Sequence, residues 1–272
     1  MLTLGVDLAA EARGTAVALV HWGSGSAELR KLLVGVPDEP IVALALAAEK
    51  IGIDCALGWP DAFVDFVTAH AAGAPLAPGS DGGMDWRRTL AYRETDRRVR
   101  ALTGRWPLSV STDRLGLTAM RCAGLVSRLA AAGLDVDRSG TGRIAEVYPG
   151  ASLRLWDIRV DGYRTDAPRR ADAITALTTA APWLELGEHR ALLERSTDAL
   201  DALVAALAAR AAALGRADTP PAELEARARR EGWVALPTTP LATLVDPVGA
   251  GPADGSAPER LRAVGDVGHG SH

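Results

Sequence analysis

Leu2-Thr3-Leu4-Gly5-Val6-Asp7-Leu8 opens the chain as a short apolar run that closes on a carboxylate. Aspartate is disfavoured in strands, so an Asp at the end of such a run points to a site. The pattern recurs at Ile51-Gly52-Ile53-Asp54-Cys55 and again at Ile144-Ala145-Glu146-Val147-Tyr148-Pro149. Ligands of open α/β sheets bind beyond the carboxyl ends of the strands, so these three acids are expected to converge there. Asp198 and Asp201 lie three residues apart on a long Ala/Leu helix, and that spacing puts both on one face. Together Asp7, Asp54, Glu146, Asp198 and Asp201 make one expected acidic pocket.

Working outward, residues 2–8, 14–22 and 28–36 read as an antiparallel meander of three strands, the second turn being Gly23-Ser24-Gly25-Ser26. Its glycines resemble part of a phosphate-binding fingerprint, but no helix follows, so the hairpin reading stands. A helix over 39–49, with Asp38 as N-cap, leads into a strand over 50–57. Such crossovers are right-handed and close, which makes this strand parallel to the first and puts Asp54 at the same sheet edge as Asp7. Helices are expected over 61–72, 117–132, about 170–181, 188–214 and 220–230, a strand over 143–148 and a final edge strand over 232–237. Leu200, Leu203, Val204, Leu207 and Leu214 predict a single apolar face on the 188–214 helix. The chain reads as one α/β domain over 1–245 with insertions at about 73–116 and 157–190, followed by a Gly/Pro/Asp/Ala-rich, disordered tail over 246–272.

The bulk numbers narrow the function. The 272 residues carry 34 acids against 30 bases, a formal charge of -4, so no global positive field attracts a polyanion and any such contact must be local. The basic patch lies between Asp85 and Arg105, where seven arginines stand against three acids. Arg93, Arg97 and Arg100 recur there at i, i+4, i+7, which on a helix makes one face suited to phosphates; the alternative is a solvated face on an exposed insertion. Two cysteines, Cys55 and Cys122, are too few for a disulfide framework. Asp7 and Glu11 interrupt the N-terminal apolar stretch, and no apolar run of about 18 residues is present, so a cytoplasmic protein that avoids membranes is expected. The five histidines have no metal-ligand spacing, and neither a Gly-x-Ser-x-Gly elbow nor a phosphate-binding Gly-x-x-x-x-Gly-Lys-Ser/Thr loop occurs.

Electrostatics gives the pocket its chemistry. Two carboxylates about 4 Å apart repel by about 4 kcal/mol at an effective dielectric near 20, so several acids together must be protonated or neutralised. A hard divalent cation takes such oxygens and leaves room for substrate, and a pair of them clamps both oxygens of phosphodiester cleavage. Taken singly, each acid has an ordinary alternative. Asp7 or Asp54 alone suits a turn, Glu146 suits an Arg partner, and Asp198 and Asp201 suit the first turns of a helix.

Gly5-Val6-Asp7-Leu8, Ile53-Asp54-Cys55-Ala56-Leu57-Gly58, Tyr92-Arg93-Glu94-Thr95-Asp96, Glu146-Val147-Tyr148-Pro149 and Asp198-Ala199-Leu200-Asp201-Ala202-Leu203 resemble, in order and spacing, domain-of-unknown-function family 429, predicted nucleases with a ribonuclease H-like fold. The resemblance spans roughly residues 2–240. It implies a mixed five-stranded sheet, three antiparallel strands plus two parallel ones, flanked by helices. It also implies Asp7, Asp54, Glu146 and Asp201 as catalytic, metal-holding acids, with Asp198 a helical turn away. The expected activity is Mg²⁺- or Mn²⁺-dependent hydrolysis of DNA or RNA, with Arg93, Arg97 and Arg100 holding the strand. Two other readings stay open. One is a nucleotide-binding protein of the actin and sugar-kinase type, in which Gly14-Thr15 would cradle phosphate. The other is a non-catalytic binding module whose acids satisfy Arg partners.

Overall fold

The computed structural model describes residues 1–76, 80, 82–158 and 161–245. The strands are β1 (Leu2–Asp7), β2 (Ala16–Trp22), β3 (Ala27–Val34), β4 (Lys50–Asp54), β5 (Ile144–Glu146) and β6 (Leu184–Glu185). They form one sheet in the order β5-β4-β1-β2-β3-β6. The meander β1-β2-β3 is antiparallel, and β4 and β5 run parallel to β1. The sheet has six strands where five were expected, because two-residue β6 adds in parallel to β3 through Ala27 and Glu28. Two residues carry no periodicity, which is why the pattern does not announce it.

The helices are α1 (Asp38–Ala47), α2 (Asp61–Ala71), α3 (Met84–Ala91), α4 (Glu94–Thr103), α5 (Gly116–Ala131), α6 (Pro149–Leu155), α7 (Ala167–Ala180), α8 (Arg190–Arg195), α9 (Thr197–Ala213) and α10 (Glu225–Glu231). Side chains alternate across the sheet, so each strand feeds two cores. Leu4, Val6, Val17, Ile51, Ile53 and Ile144 pack on the α1 and α5 side. Ala16, Ala18, Val20 and Val147 pack with α7 and α9 on the other.

Four local expectations give way to packing. The 188–214 helix is broken at Ser196, whose extended backbone ends α8 and whose hydroxyl accepts from the Ala199 amide, capping α9. Nor does α9 carry one apolar face: every residue from Ala199 to Ala211 is buried, as befits a helix that is apolar nearly all round and sandwiched between layers. Asp38 does not cap α1; Pro37 holds that position, and Asp38 pairs with Arg121 of α5 at 2.8 Å. Residues 232–237 supply single bridges, Val234 to Glu146 and Pro237 to Ala217, in place of an edge strand. The expected tail, 246–272, lies outside the described residues. Among the described residues no helix is long and apolar enough to cross a membrane.

Candidate functional site

Glycine decides how close α9 comes to the sheet. A Cβ on Gly5 of β1 would overlap the Ala202 carbonyl oxygen and the Ala206 nitrogen, and one on Gly52 of β4 would strike the Ala205 carbonyl oxygen. The helix backbone therefore rests directly on the two central parallel strands, helped by its own alanines. Both glycines sit two residues before an acid. Side chains two apart on a strand share a face, so Asp7 and Asp54 lie on the α9 side of the sheet, and they are partners in register. Asp201 reaches the same place from the second turn of α9, with Asp198 in the first turn.

All four of these acids are pushed towards protonation chiefly by burial. The Asp7 carboxyl is raised to about 9, first by desolvation and then by Asp54, Asp201 and Asp198, with Arg164 opposing. Asp54 is raised to about 8 by burial, then by Asp201, and Arg164 again opposes. Asp201 is raised by burial against the pull of Arg164 and the Tyr163 hydroxyl. Half-buried Asp198 is also raised by burial, with Arg164 and Arg170 opposing. Like charges that burial forces together resist ionising at once.

The counter-charge is Arg164, which the sequence does not single out. It pairs with Asp201 Oδ2 at 2.9 Å while the Tyr163 hydroxyl donates to Oδ1 at 2.9 Å. Asp201 lies closest to Arg164 electrostatically, and Asp54 also acts on it. The pair sits just before α7, in a segment of mixed polarity read as an insertion; the only signal available was a basic and an aromatic residue side by side at Tyr163-Arg164.

Glu146 is held differently, although its charge also raises Asp54. In β5 it is in register with Ile53, and its neighbour Val147 packs in the α9 core, so its side chain leaves the sheet on the face opposite to Asp7 and Asp54. Arg93 clamps it there, Nη1 to Oε2 at 2.8 Å and Nη2 to Oε1 at 2.7 Å, and the Leu57 amide donates to Oε2 at 3.0 Å. Arg93 also binds Asp96 through Nη2 at 2.9 Å and the Glu231 carbonyl at 3.0 Å. Burial opposes the Arg93 charge, but Glu146 and Asp96 outweigh it and hold the guanidinium fully protonated. The single-Arg alternative for Glu146 is the arrangement found.

The expected Arg face dissolves for a related reason. Tyr92 and Arg93 break the helix between α3 and α4, and Arg93 becomes the buried N-cap of α4, its backbone amide and its guanidinium both donating to the Asp96 carboxylate. Arg97 is occupied by Glu94 at 2.8 Å, and Arg100 alone of the three is exposed. The Gly14-Thr15 turn is likewise closed to phosphate: both amides donate within the turn, to Glu11 and Ala12 carbonyls, and Arg121 donates to the buried Thr15 hydroxyl at 2.6 Å.

A cavity of about 310 Å³ opens at this sheet edge, lined by Asp7, Asp54, Arg93, Glu146, Tyr148 and Arg164 among others. It curls round the strand ends and so meets acids from both faces. Among the described residues no group of three or more His, Cys, Asp or Glu side chains is arranged to hold a metal ion. Asp201 is turned onto Tyr163 and Arg164, and Glu146 onto Arg93, which leaves Asp7 and Asp54 as the adjacent pair.

The chain belongs to the family described as "Protein of unknown function (DUF429)", whose profile matches residues 5–226. That span runs from β1 through α9 and takes in all five acids. No curated protein and no solved structure matches the chain.

Proposed function

We propose that this family member has a ribonuclease H-like fold and is a divalent-metal-dependent nuclease. The observation that carries the reading is the register pair Asp7 and Asp54, both half-buried, beneath the buried Asp201, three carboxyls whose pKa values are all raised. Perturbed acids gathered in a cleft mark functional sites more often than structural ones. The donor set fits Mg²⁺ or Mn²⁺: hard carboxylate oxygens, with no thiolate or imidazole among them. Asp7 and Asp54 would hold the ion, with Asp201 and Asp198 contributing from α9. Such an ion, when bound, neutralises charge at phosphorus and lowers the pKa of the attacking water.

The chain's own groups divide the remaining work. Arg164, partly exposed at the cavity and ion-paired on its other side, is the group that presents positive charge to a phosphodiester beside the acids. Arg93 holds Glu146 in one geometry from behind, and the buried network of Glu146, Asp96 and the Leu57 amide fixes the cavity wall. Glu146 is thereby a positioning residue in this reading. The two cysteines, free and buried, fit a reducing compartment such as the cytoplasm.

The pairing of Asp201 with Arg164 and of Glu146 with Arg93 also favours a second reading, a non-catalytic module whose acids are neutralised by arginine alone. One experiment separates the two. Single-stranded DNA and RNA are incubated with Mg²⁺ or Mn²⁺ and the wild type, Asp7→Asn or Asp54→Asn. Nuclease function predicts cleavage that falls at least about a hundredfold in each variant; equal turnover in all three proteins, or none in the wild type, rejects it.

A further inference from the structure

Beside the acid cavity lies a second groove of about 430 Å³, and Tyr148 and Arg164 line both, so the two spaces meet at those side chains. Three arginines face the groove, Arg105, Arg154 and Arg164, with Tyr148 and Tyr163; Asp161 is the one carboxylate among its described lining residues. In this protein most surface arginines are tied to acids: Arg97 to Glu94, Arg98 to Asp218 and Arg230 to Asp61, all at 2.6 to 2.8 Å. Arg105 and Arg154 are not, which they share with Arg100, Arg114, Arg169 and Arg195, but these two line a concavity. Neither has an ion pair or a side-chain hydrogen bond among the described residues, although Asp161 shares their groove. Unpaired guanidinium groups in a concavity are poised for an anion, and Arg is the residue suited to phosphate.

We propose that this groove, and not the face of α4, seats the phosphate backbone of a single-stranded polynucleotide and leads it to the acid cavity. The inference rests on the nuclease reading and names its substrate class. Phosphates would lie along Arg105 and Arg154 and reach Arg164 at the junction, where the acids begin. Half-exposed Tyr148 supplies a ring face for a base, while Tyr163, with the Arg164 guanidinium already over its ring, fixes that arginine. A cationic track with an aromatic platform holds single strands without sequence preference. Unpaired bases can present a face to Tyr148, whereas paired bases are stacked within a duplex and cannot. Overall negative charge makes such a local track necessary, since the protein's net field repels polyanions.

The test measures binding without chemistry. Fluorescently labelled 15-nucleotide single strands of DNA and RNA, and a duplex of the same length, are titrated with the full chain in EDTA at several salt concentrations. The proteins are the wild type, Arg105→Ala/Arg154→Ala and, as a control on α4, Arg97→Ala. The expected result is wild-type binding that favours single strands. The double variant should lose at least about tenfold in affinity, with a log-log salt slope shallower by about 1.4, as two phosphate contacts on a single strand require; Arg97→Ala should stay near wild type. Because Arg105 and Arg154 are exposed or half-exposed and make no internal contacts of this kind, the double variant should melt with the wild type, which a thermal scan checks. Unchanged affinity and slope in the double variant overturns the groove while leaving the acid site untouched. Preference for duplex, or no binding of single strands, overturns the substrate class, and cleavage by wild type against Asp7→Asn still judges the nuclease reading separately.

Discussion

At the scale of single residues, Asp7 and Asp54 carry the strongest consequence. Their carboxyls sit near 9 and 8 in the folded protein against an ordinary 3.8. Between those values the folded chain retains protons that the unfolded chain has released, so stability is greatest below about pH 4, falls as pH rises from there, and the loss is complete once pH has passed 8 to 9. Each group contributes about 1.4 kcal/mol per pH unit while it alone keeps its proton. Urea unfolding in EDTA from pH 5 to pH 8 should therefore show a decline that is shallower in Asp7→Asn, which cannot ionise; parallel profiles in the two proteins would refute the coupling. These two acids were legible from the sequence because each closes an apolar run, and the crossover rule set them side by side. Glu146 was legible as a strand-end acid but not as to face, since a strand of three residues leaves its register to the neighbouring chain. Arg93 and Arg164 were not legible in their roles at all. The first depends on a helix break at Tyr92 that no Gly or Pro signals, and the second on a segment with no periodicity.

Among elements, the contact of α9 with β1 and β4 governs whether the acids meet. Its basis is two glycines whose missing Cβ atoms admit the helix backbone. Gly5→Ala forces α9 away from the strand and should destabilise the fold by roughly 3 kcal/mol or more, an overpacked core with a backbone shift. Gly124→Ala in the exposed middle of α5 meets nothing within 4 Å and should stabilise by about 1 kcal/mol, the ordinary helix gain over glycine. Chemical denaturation of both variants checks the contrast; a Gly5→Ala protein as stable as the wild type would mean that α9 is not seated as described. The Ala-rich composition of 199–211 pointed to a helix, and its Leu positions to a packed face. What periodicity could not reveal is that the opposite face is buried too, because that depends on α6 and α8 folding back over it.

For the whole molecule, the order β5-β4-β1-β2-β3-β6 places both parallel strand ends, the start of α9 and the Arg164 segment at one edge. Residues distant in sequence thus share a single electrostatic problem, an excess of carboxyl groups around Arg164. In the proposed reading a divalent ion would resolve it by displacing protons, and its binding would then release them. Calorimetric titration of Mn²⁺ into the wild type at pH 7.5, repeated in buffers of different ionisation enthalpy, reads both events together. The account predicts saturable binding with release of roughly one to two protons, because Asp7 and Asp54 are both largely protonated at that pH, with binding and release both lost in Asp7→Asn. Absence of binding in the wild type, or the same binding and proton release in the variant, would contradict it.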